Sequence, residues 1–384
     1  MSAGRPREVV LIGAGHAHVH VLEDFAAHPV PGSRVKVVAD TPIAVYSGMV
    51  PGLVAGQYRP RDLEIDVRAL ARRARADVII ARATGIDTSN SRITLQDQPP
   101  VHYDIACFDI GSTVVGLDLP GIREHALPTR PIGLFARRVD EIVERARRHD
   151  QDTPFQVVVI GGGAGGVELA FTLQRRLASE GNGWVDVALL EKGSRILFGY
   201  PESLVRRVYR RAEARGIRIR CNRQVVAAEK EAVTLGDGER LPCQALIWVT
   251  GAVSEPIFTE SGLPTDDRGF VRIRSTLQVE DHDDLFAVGD CATLIDYPQT
   301  PKAGVYAVRQ GPIVSDNIRA LLTGAPLRPY KPQSDFLTLL NLGDGTALGT
   351  KWGRSMEGAW VMKLKDFLDR RFMRRFQVAE SGGP

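Results

Sequence analysis

Cysteine is scarce in this chain of 384 residues: Cys107, Cys221, Cys243 and Cys291 are all there are, and no two stand at CxxC spacing. That excludes a disulfide framework and a structural zinc site, both of which need clustered thiols. Charge of one sign is equally lacking. The 49 Lys and Arg are nearly matched by 46 Asp and Glu, for a net charge of +3 at pH 7. With no basic stripe interleaved with aromatics, nucleic acid is not expected as a partner. Nor does any apolar run approach the ~18 residues that a membrane-spanning helix needs, so a membrane could be met only at its surface. The first apolar strand begins within a few residues of Met1. That leaves no room for a signal peptide, and a cytoplasmic place is expected.

What is present is an ordinary globular composition, 43% hydrophobic and 25% charged, long enough for two or three domains with cores of their own. Its first distinctive phrase is "GAGHAH", residues 13–18, directly after the apolar run "VVLI". A lone GxG is weak evidence of a nucleotide site. The phrase returns, however, as "VVVIGGGAGGVELAFTL" at 157–173, a complete GxGxxG between an apolar strand and an apolar-periodic helix. Aligned without gaps, Gly13 falls on Gly161, Gly15 on Gly163 and His18 on Gly166.

The first glycine of such a turn allows its tight bend, and the second admits a pyrophosphate close to the backbone. The helix that follows offers free N–H groups and the positive end of its dipole. Each copy is followed by a strand ending in an acid, "VKVVAD" at Asp40 and "VDVALLE" at Glu191. An acid there accepts the hydroxyls of an adenosine ribose and repels a 2′-phosphate. Two dinucleotides are therefore expected, an adenine dinucleotide at the first turn and NADH rather than NADPH at the second. Lys192 and Arg195, close after Glu191, are the residues that could reverse that preference.

Further segments follow in a set order: "VHYDIACFDIGS" (101–112), "ALIWVTGAVSEP" (245–256), "DLFAVGDCA" (284–292) and "PKAGVYAVRQGPIVSDNI" (301–318). With the two turns, these resemble the two-dinucleotide flavoproteins of the pyridine nucleotide–disulfide oxidoreductase superfamily. More narrowly, "GxGHxH", "YSGMVPG", "FDIGST" and "PKAGVYAVRQGP" resemble the type II NADH dehydrogenases and the flavoprotein module fused ahead of selenide, water dikinase. The resemblance implies an α/β fold of two Rossmann-like dinucleotide-binding domains, the NADH domain (119–252) inserted into the FAD domain (1–118 and 253–328). A small α+β C-terminal domain (329–384) would complete it.

The resemblance also implies roles for particular residues. FAD would be held by Gly13, Gly15, Asp40, the Gly111 turn, Pro51 and Asp290, the last on the ribityl chain. His16 would either hydrogen-bond the cofactor or be satisfied by backbone. NADH would lie on Gly161, Gly163, Gly166, Glu191 and Gly251. Two residues are the candidates for chemistry. Glu168, near the start of the second turn's helix, would orient the nicotinamide or handle protons. Lys302, just before the helix that faces the flavin pyrimidine, would stabilise charge on the reduced ring.

Departures from the family pattern carry equal weight. The region "AVYSGMVPGLVAG" lacks the Cys-x4-Cys of disulfide reductases, and no cysteine lies beyond Cys291, where sulfide:quinone oxidoreductases need one. Electrons would thus pass directly from flavin to an acceptor, a quinone or another small oxidant. Where type II dehydrogenases carry A-Q-x-A-x-Q, this chain reads Gly304-Val305-Tyr306-Ala307-Val308-Arg309, with both glutamines gone. Two alternatives to a quinone reductase follow: a soluble reductase linked to selenium metabolism, or a nucleotide-binding redox sensor. The tail 360–376 places Trp360, Leu364, Phe367, Leu368 and Phe372 at helical spacing beside six Lys or Arg and two Asp. Such a helix would lie on an anionic membrane, cap the core or join two copies in a homodimer.

If no thiol relays electrons, replacing all four cysteines by Ser or Ala leaves reduction of the flavin by NADH largely intact. Stopped-flow bleaching of the flavin band measures this. A loss of about a hundredfold in a folded, FAD-loaded variant, the scale of a misplaced reacting group, would implicate a thiol.

Overall fold

Residues 5–181 and 183–377 are described by the computed structural model. The chain opens with β1 (Arg7–Ile12), whose Val9, Val10, Leu11 and Ile12 are all buried. A run apolar on both faces is what a covered parallel sheet requires. Helix α1 (His16–Ala27) crosses to β2 (Ser33–Ala39), and β3 (Asp77–Ile80) and β4 (Ile105–Phe108) extend the sheet.

A second unit then begins. It runs through β5 (Ala126–Pro128), α2 (Ile132–Arg147), β6 (Phe155–Ile160), α3 (Ala164–Glu180), β7 (Val185–Leu190), α4 (Glu202–Ala214), β8 (Arg218–Arg220) and β9 (Ala245–Trp248). Its five strands are parallel in the order β5-β9-β6-β7-β8. The chain then returns. β10 (Leu285–Ala287) pairs with β4 and completes the first sheet as β10-β4-β1-β2-β3. Helix α5 (Gly304–Thr323) lies against α1 so closely that a Cβ at Gly311 would stand 2.9 Å from His20 Cβ and 3.0 Å from its ring. Last come an antiparallel sheet of β11 (Thr338–Asn341), β12 (Ala347–Lys351) and β13 (Arg354–Gly358), and helix α6 (Ala359–Phe376). The fold is α/β, with two Rossmann-like units and a small α+β cap. Among the described residues no helix is long and apolar enough to cross a membrane.

The two glycine turns solve one geometric problem in different ways. Gly13 and Gly161 both adopt positive φ, +91° and +114°, and a Cβ on either would strike the carbonyl oxygen that follows the neighbouring strand, Asp109 O at 2.3 Å or Val249 O at 2.4 Å. At the third position the copies part. A Cβ at Gly166 would lie 1.8 Å from Gly161 O, so α3 packs on its turn with no room for a side chain. In the first copy His18 is fully buried there, with Nδ1 2.7 Å from Gly13 O. Its ring folds under the turn rather than along the groove.

Gly166→Ala should therefore destabilise the fold by roughly 1–3 kcal/mol, the usual cost of overpacking. Gly163→Ala, where nothing lies within 4 Å of the new Cβ, should leave stability unchanged. Urea unfolding of both variants is the measurement; equal midpoints would refute this packing account.

Candidate active site

A cavity of about 880 Å³ runs from the first glycine turn to the start of α3. Gly13, Gly15, His16, Asp40, Pro51, Gly111 and Asp290 all line it, and so does Glu168 from the second unit. The residues expected to hold the first cofactor thus line one space, and a candidate for chemistry stands at its far end. Gly304 and Ala307, at the N-terminus of α5, form part of its wall. Burial holds the His16 imidazole below its usual range, against the pull of Asp109 and Asp290. Its Nε2 lies 3.4 Å from Ser47 Oγ.

Two lining residues were not anticipated. Asp109, at the end of β4, is buried beneath α1, where Oδ2 accepts the N–H groups of Ala17 (2.8 Å) and His18 (3.0 Å). A carboxylate there satisfies two orphan donors and meets the positive end of the helix dipole. It also explains Gly15, since a Cβ at that position would stand 2.3 Å from Asp109 Oδ1. Arg130, in the segment leading into α2, pairs with Asp290 at 2.7 Å and donates to Ser112 Oγ. It sets a guanidinium against the cavity wall beside the expected ribityl-binding acid.

At the second turn, Glu191 Oε2 accepts from Gly162 N at 2.7 Å and Oε1 from Gly193 N at 2.6 Å. Arg195 is committed elsewhere, to Tyr200 O at 3.2 Å and Glu202 at 3.4 Å. Gly161 and Gly163 form the turn, Gly166 lies beneath it as packing, and Gly251 accepts a backbone bond from Val115 N.

Lys302 stands apart from these. Its ammonium donates to Ala292 O and Thr293 Oγ1 and lies 4.0 Å from the centre of the Phe270 ring. It does not line the cavity. Burial lowers it to about 8. These three contacts draw the Lys302 ammonium toward the protein interior, while Gly304 and Ala307 at the start of α5 line the cavity.

The terminal helix also differs from expectation. Phe372 turns inward, lines the cavity and stacks on Tyr46 at 4.4 Å, while Trp360, Phe367 and Leu368 stay exposed. The inward stripe is Val361, Met362, Lys365, Asp369, Met373 and Phe376, so it includes a buried ion pair. Lys365 Nζ lies 3.0 Å from Asp369 Oδ2 and donates to Gly48 O at 2.8 Å, and Tyr46 Oη donates to Asp369 Oδ1 at 3.3 Å. Nearby, Glu168 Oε1 accepts from the backbone N–H of Asn341 at 2.8 Å. Burial pushes Glu168 up to about 7, although Lys365 and the Asn341 N–H pull it down.

Removing the Asp109 carboxylate strands two buried helix N–H groups. Asp109→Ala should lose roughly 1–3 kcal/mol on that account, and Asp109→Asn, which keeps one acceptor, should lose less. Thermal unfolding would show it; an alanine variant as stable as wild type would contradict the capping role.

With this geometry in hand, known proteins can be compared. The pyridine nucleotide-disulphide oxidoreductase profile matches residues 7–311. Demethylphylloquinone reductase NdbB of Synechocystis sp. is 29% identical over 270 residues, 67% of this chain and 65% of that one, so the match spans just under two thirds of that relative. A type II NADH:quinone oxidoreductase of Staphylococcus epidermidis is 22% identical over 384 residues, 95% of this chain and 94% of its own. Among solved structures, the sulfide:quinone oxidoreductase of Aquifex aeolicus superposes with a TM-score of 0.80 at 18% identity, covering 98% of this chain and 93% of that one. NDH2 from Plasmodium falciparum in complex with NADH superposes at 0.78 with 13% identity, covering 99% of each. At these identities the superpositions establish the fold alone.

Proposed function

The chain belongs to the pyridine nucleotide-disulphide oxidoreductase family, and on that premise we propose that it is an FAD-dependent NADH oxidoreductase whose acceptor is a quinone. The observation that carries this reading is the single cavity joining the first glycine turn, Asp290 and Glu168. Its volume and lining fit FAD: glycines where a Cβ would clash, an acid at Asp40 for the ribose, and an arginine beside Asp290. Bound there, FAD would supply a hydride acceptor that passes two electrons onward.

The protein's part is binding, orientation and proton handling. Asp109 already takes the N–H groups of Ala17 and His18, so a pyrophosphate falls to the N–H groups of Ala14, Gly15 and His16 and to Arg130. The α5 N-terminus turns its positive dipole end toward the cavity. Glu191 holds the adenosine ribose of NADH. Glu168, at the meeting of the two units, accepts or gives up a proton near neutral pH. Among the described residues, Cys107, Cys243 and Cys291 are buried and all four cysteines are free, in keeping with a route that uses no dithiol.

The exposed Trp360 and Phe367, flanked by exposed Lys363, Arg370, Arg371 and Arg374, support peripheral contact with an anionic membrane, where quinones dissolve. A second reading rests on Val305 and Arg309, which stand where the type II pattern has glutamines. It makes the acceptor a small soluble oxidant such as a selenium compound.

The protein should purify yellow and be reduced anaerobically by NADH with a preference over NADPH of about tenfold or more, since each 1.4 kcal/mol is a factor of ten and a 2′-phosphate would meet Glu191 as a like charge. Rapid mixing of the reduced protein with soluble quinones, a quinone in anionic vesicles, selenium compounds and oxygen then identifies the acceptor. Absence of flavin would sink the reading. Reoxidation by selenium compounds but by no quinone would favour the second.

A further inference from the structure

Lys365 and Asp369 are an expensive pair to bury: only 7% and 6% of their surfaces are exposed. A packing helix needs neither, because aliphatic residues at these positions would cap the core without any cost of desolvation. Their location suggests a use. Among the described residues the Lys365 ammonium has one ion pair, with Asp369, and its second acceptor is the carbonyl of Gly48. Among the described residues Glu168, the acid at the cavity, has the backbone N–H of Asn341 on Oε1 and no ion pair of its own.

We propose that Asp369 is a positioning residue that engages Lys365 and so leaves Glu168 holding an exchangeable proton on Oε2 beside the cavity. The role deepens the function proposed above and rests on it, since a proton there matters only if electrons arrive nearby. With Lys365 neutralised by Asp369, the cluster gains nothing from a third charge, and Glu168 stays protonated up to neutrality. If Asp369 lost its charge, the pull of the buried ammonium on Glu168 would no longer be offset, and the carboxylate would be favoured.

The surroundings agree in direction. Burial, and to a lesser extent Asp369, raises Glu168, while Lys365 and the Asn341 N–H lower it. Burial would lower Lys365, but the carboxylates of Glu168 and Asp369 hold it above its usual value. The other groups facing the cluster are Tyr46, donating to Asp369, Tyr200 from the loop before α4, and Asp366 on α6 itself. Tyr46 and Tyr200 are both raised, chiefly by burial, and stay neutral in this range. Asp366 is engaged by Tyr58 and Arg370, each at 2.8 Å. Burial raises Asp369 as well, against the pull of Lys365 and of the hydrogen bond from Tyr46.

The test is infrared titration of the protonated-carboxyl band in the protein as purified, with no NADH and no acceptor added. Wild type should lose this band near neutral pH, and Glu168→Gln should lack that transition. In Asp369→Asn the transition should move to lower pH by roughly one to three units, the range an opposite charge commands. In Lys365→Met it should move to higher pH. The acid–base dependence of reoxidation by a water-soluble naphthoquinone should shift in the same two directions. A purely structural Asp369 would change the melting temperature and leave the transition in place. That result in folded Asp369→Asn, or a neutral-range band that persists in Glu168→Gln, overturns the proposal; should Asp369→Asn not fold, an unmoved transition in Lys365→Met does the same. A protein that titrates as expected but is not reduced by NADH would refute the function proposed above and leave the proton cluster standing.

Discussion

An α-helix that begins at a buried turn exposes N–H groups that its own backbone cannot satisfy, and the two halves of the molecule meet this constraint differently. In the first unit Asp109 reaches under α1 from the neighbouring strand and takes two of these donors. In the second, Glu191 at the end of the next strand instead takes Gly162 N, in the turn ahead of α3, and Gly193 N, in its own following loop. The repeated phrase thus builds two different sites. At one the helix start is already partly neutralised and an arginine stands across the cavity. At the other, on the function proposed above, the start of α3 is left to NADH and the acid to its ribose.

What could be read in advance was whatever depends on short-range pattern. The paired glycine turns, the acids at Asp40 and Glu191 and the acid at Asp290 stand at fixed offsets from strands and helices. Asp40 and Asp290 indeed line one cavity with Gly13 and Gly15. Asp109 escaped notice because nothing local distinguishes it from another strand-end residue; its partners lie more than ninety positions away, at Ala17 and His18. Arg130 is similar, an arginine in a linker whose partner is Asp290. For Lys302 the position along the chain suggests a cofactor contact, while the fold gives its side chain Thr293 and Phe270.

The terminal helix shows where periodicity gives the wrong answer. Charges four residues apart usually belong to a solvated face, so the pattern suggests a basic exterior that includes Lys365 and Asp369 and a common apolar stripe for the aromatics. The helix instead packs with its ion pair inward and leaves Trp360 and Phe367 outside. A hydrophobicity pattern cannot anticipate this, because the favourable surroundings of the pair, Gly48 O and Tyr46 Oη, belong to a segment some three hundred residues upstream. The cap is therefore a working wall of the cavity.

The way the second unit sits inside the first has a consequence for the order of events at the ribosome. Every strand of the second sheet lies between residues 126 and 248, so that unit can close while synthesis continues. The first sheet cannot. Its β4 edge stays bare until Leu285–Ala287 emerges, and its cavity lacks a wall until Phe372 has been made. The half of the protein begun first is finished last, and the nascent chain must shelter an apolar strand edge, a recognised hazard for misassembly, from the making of Phe108 until Leu285–Ala287 follows.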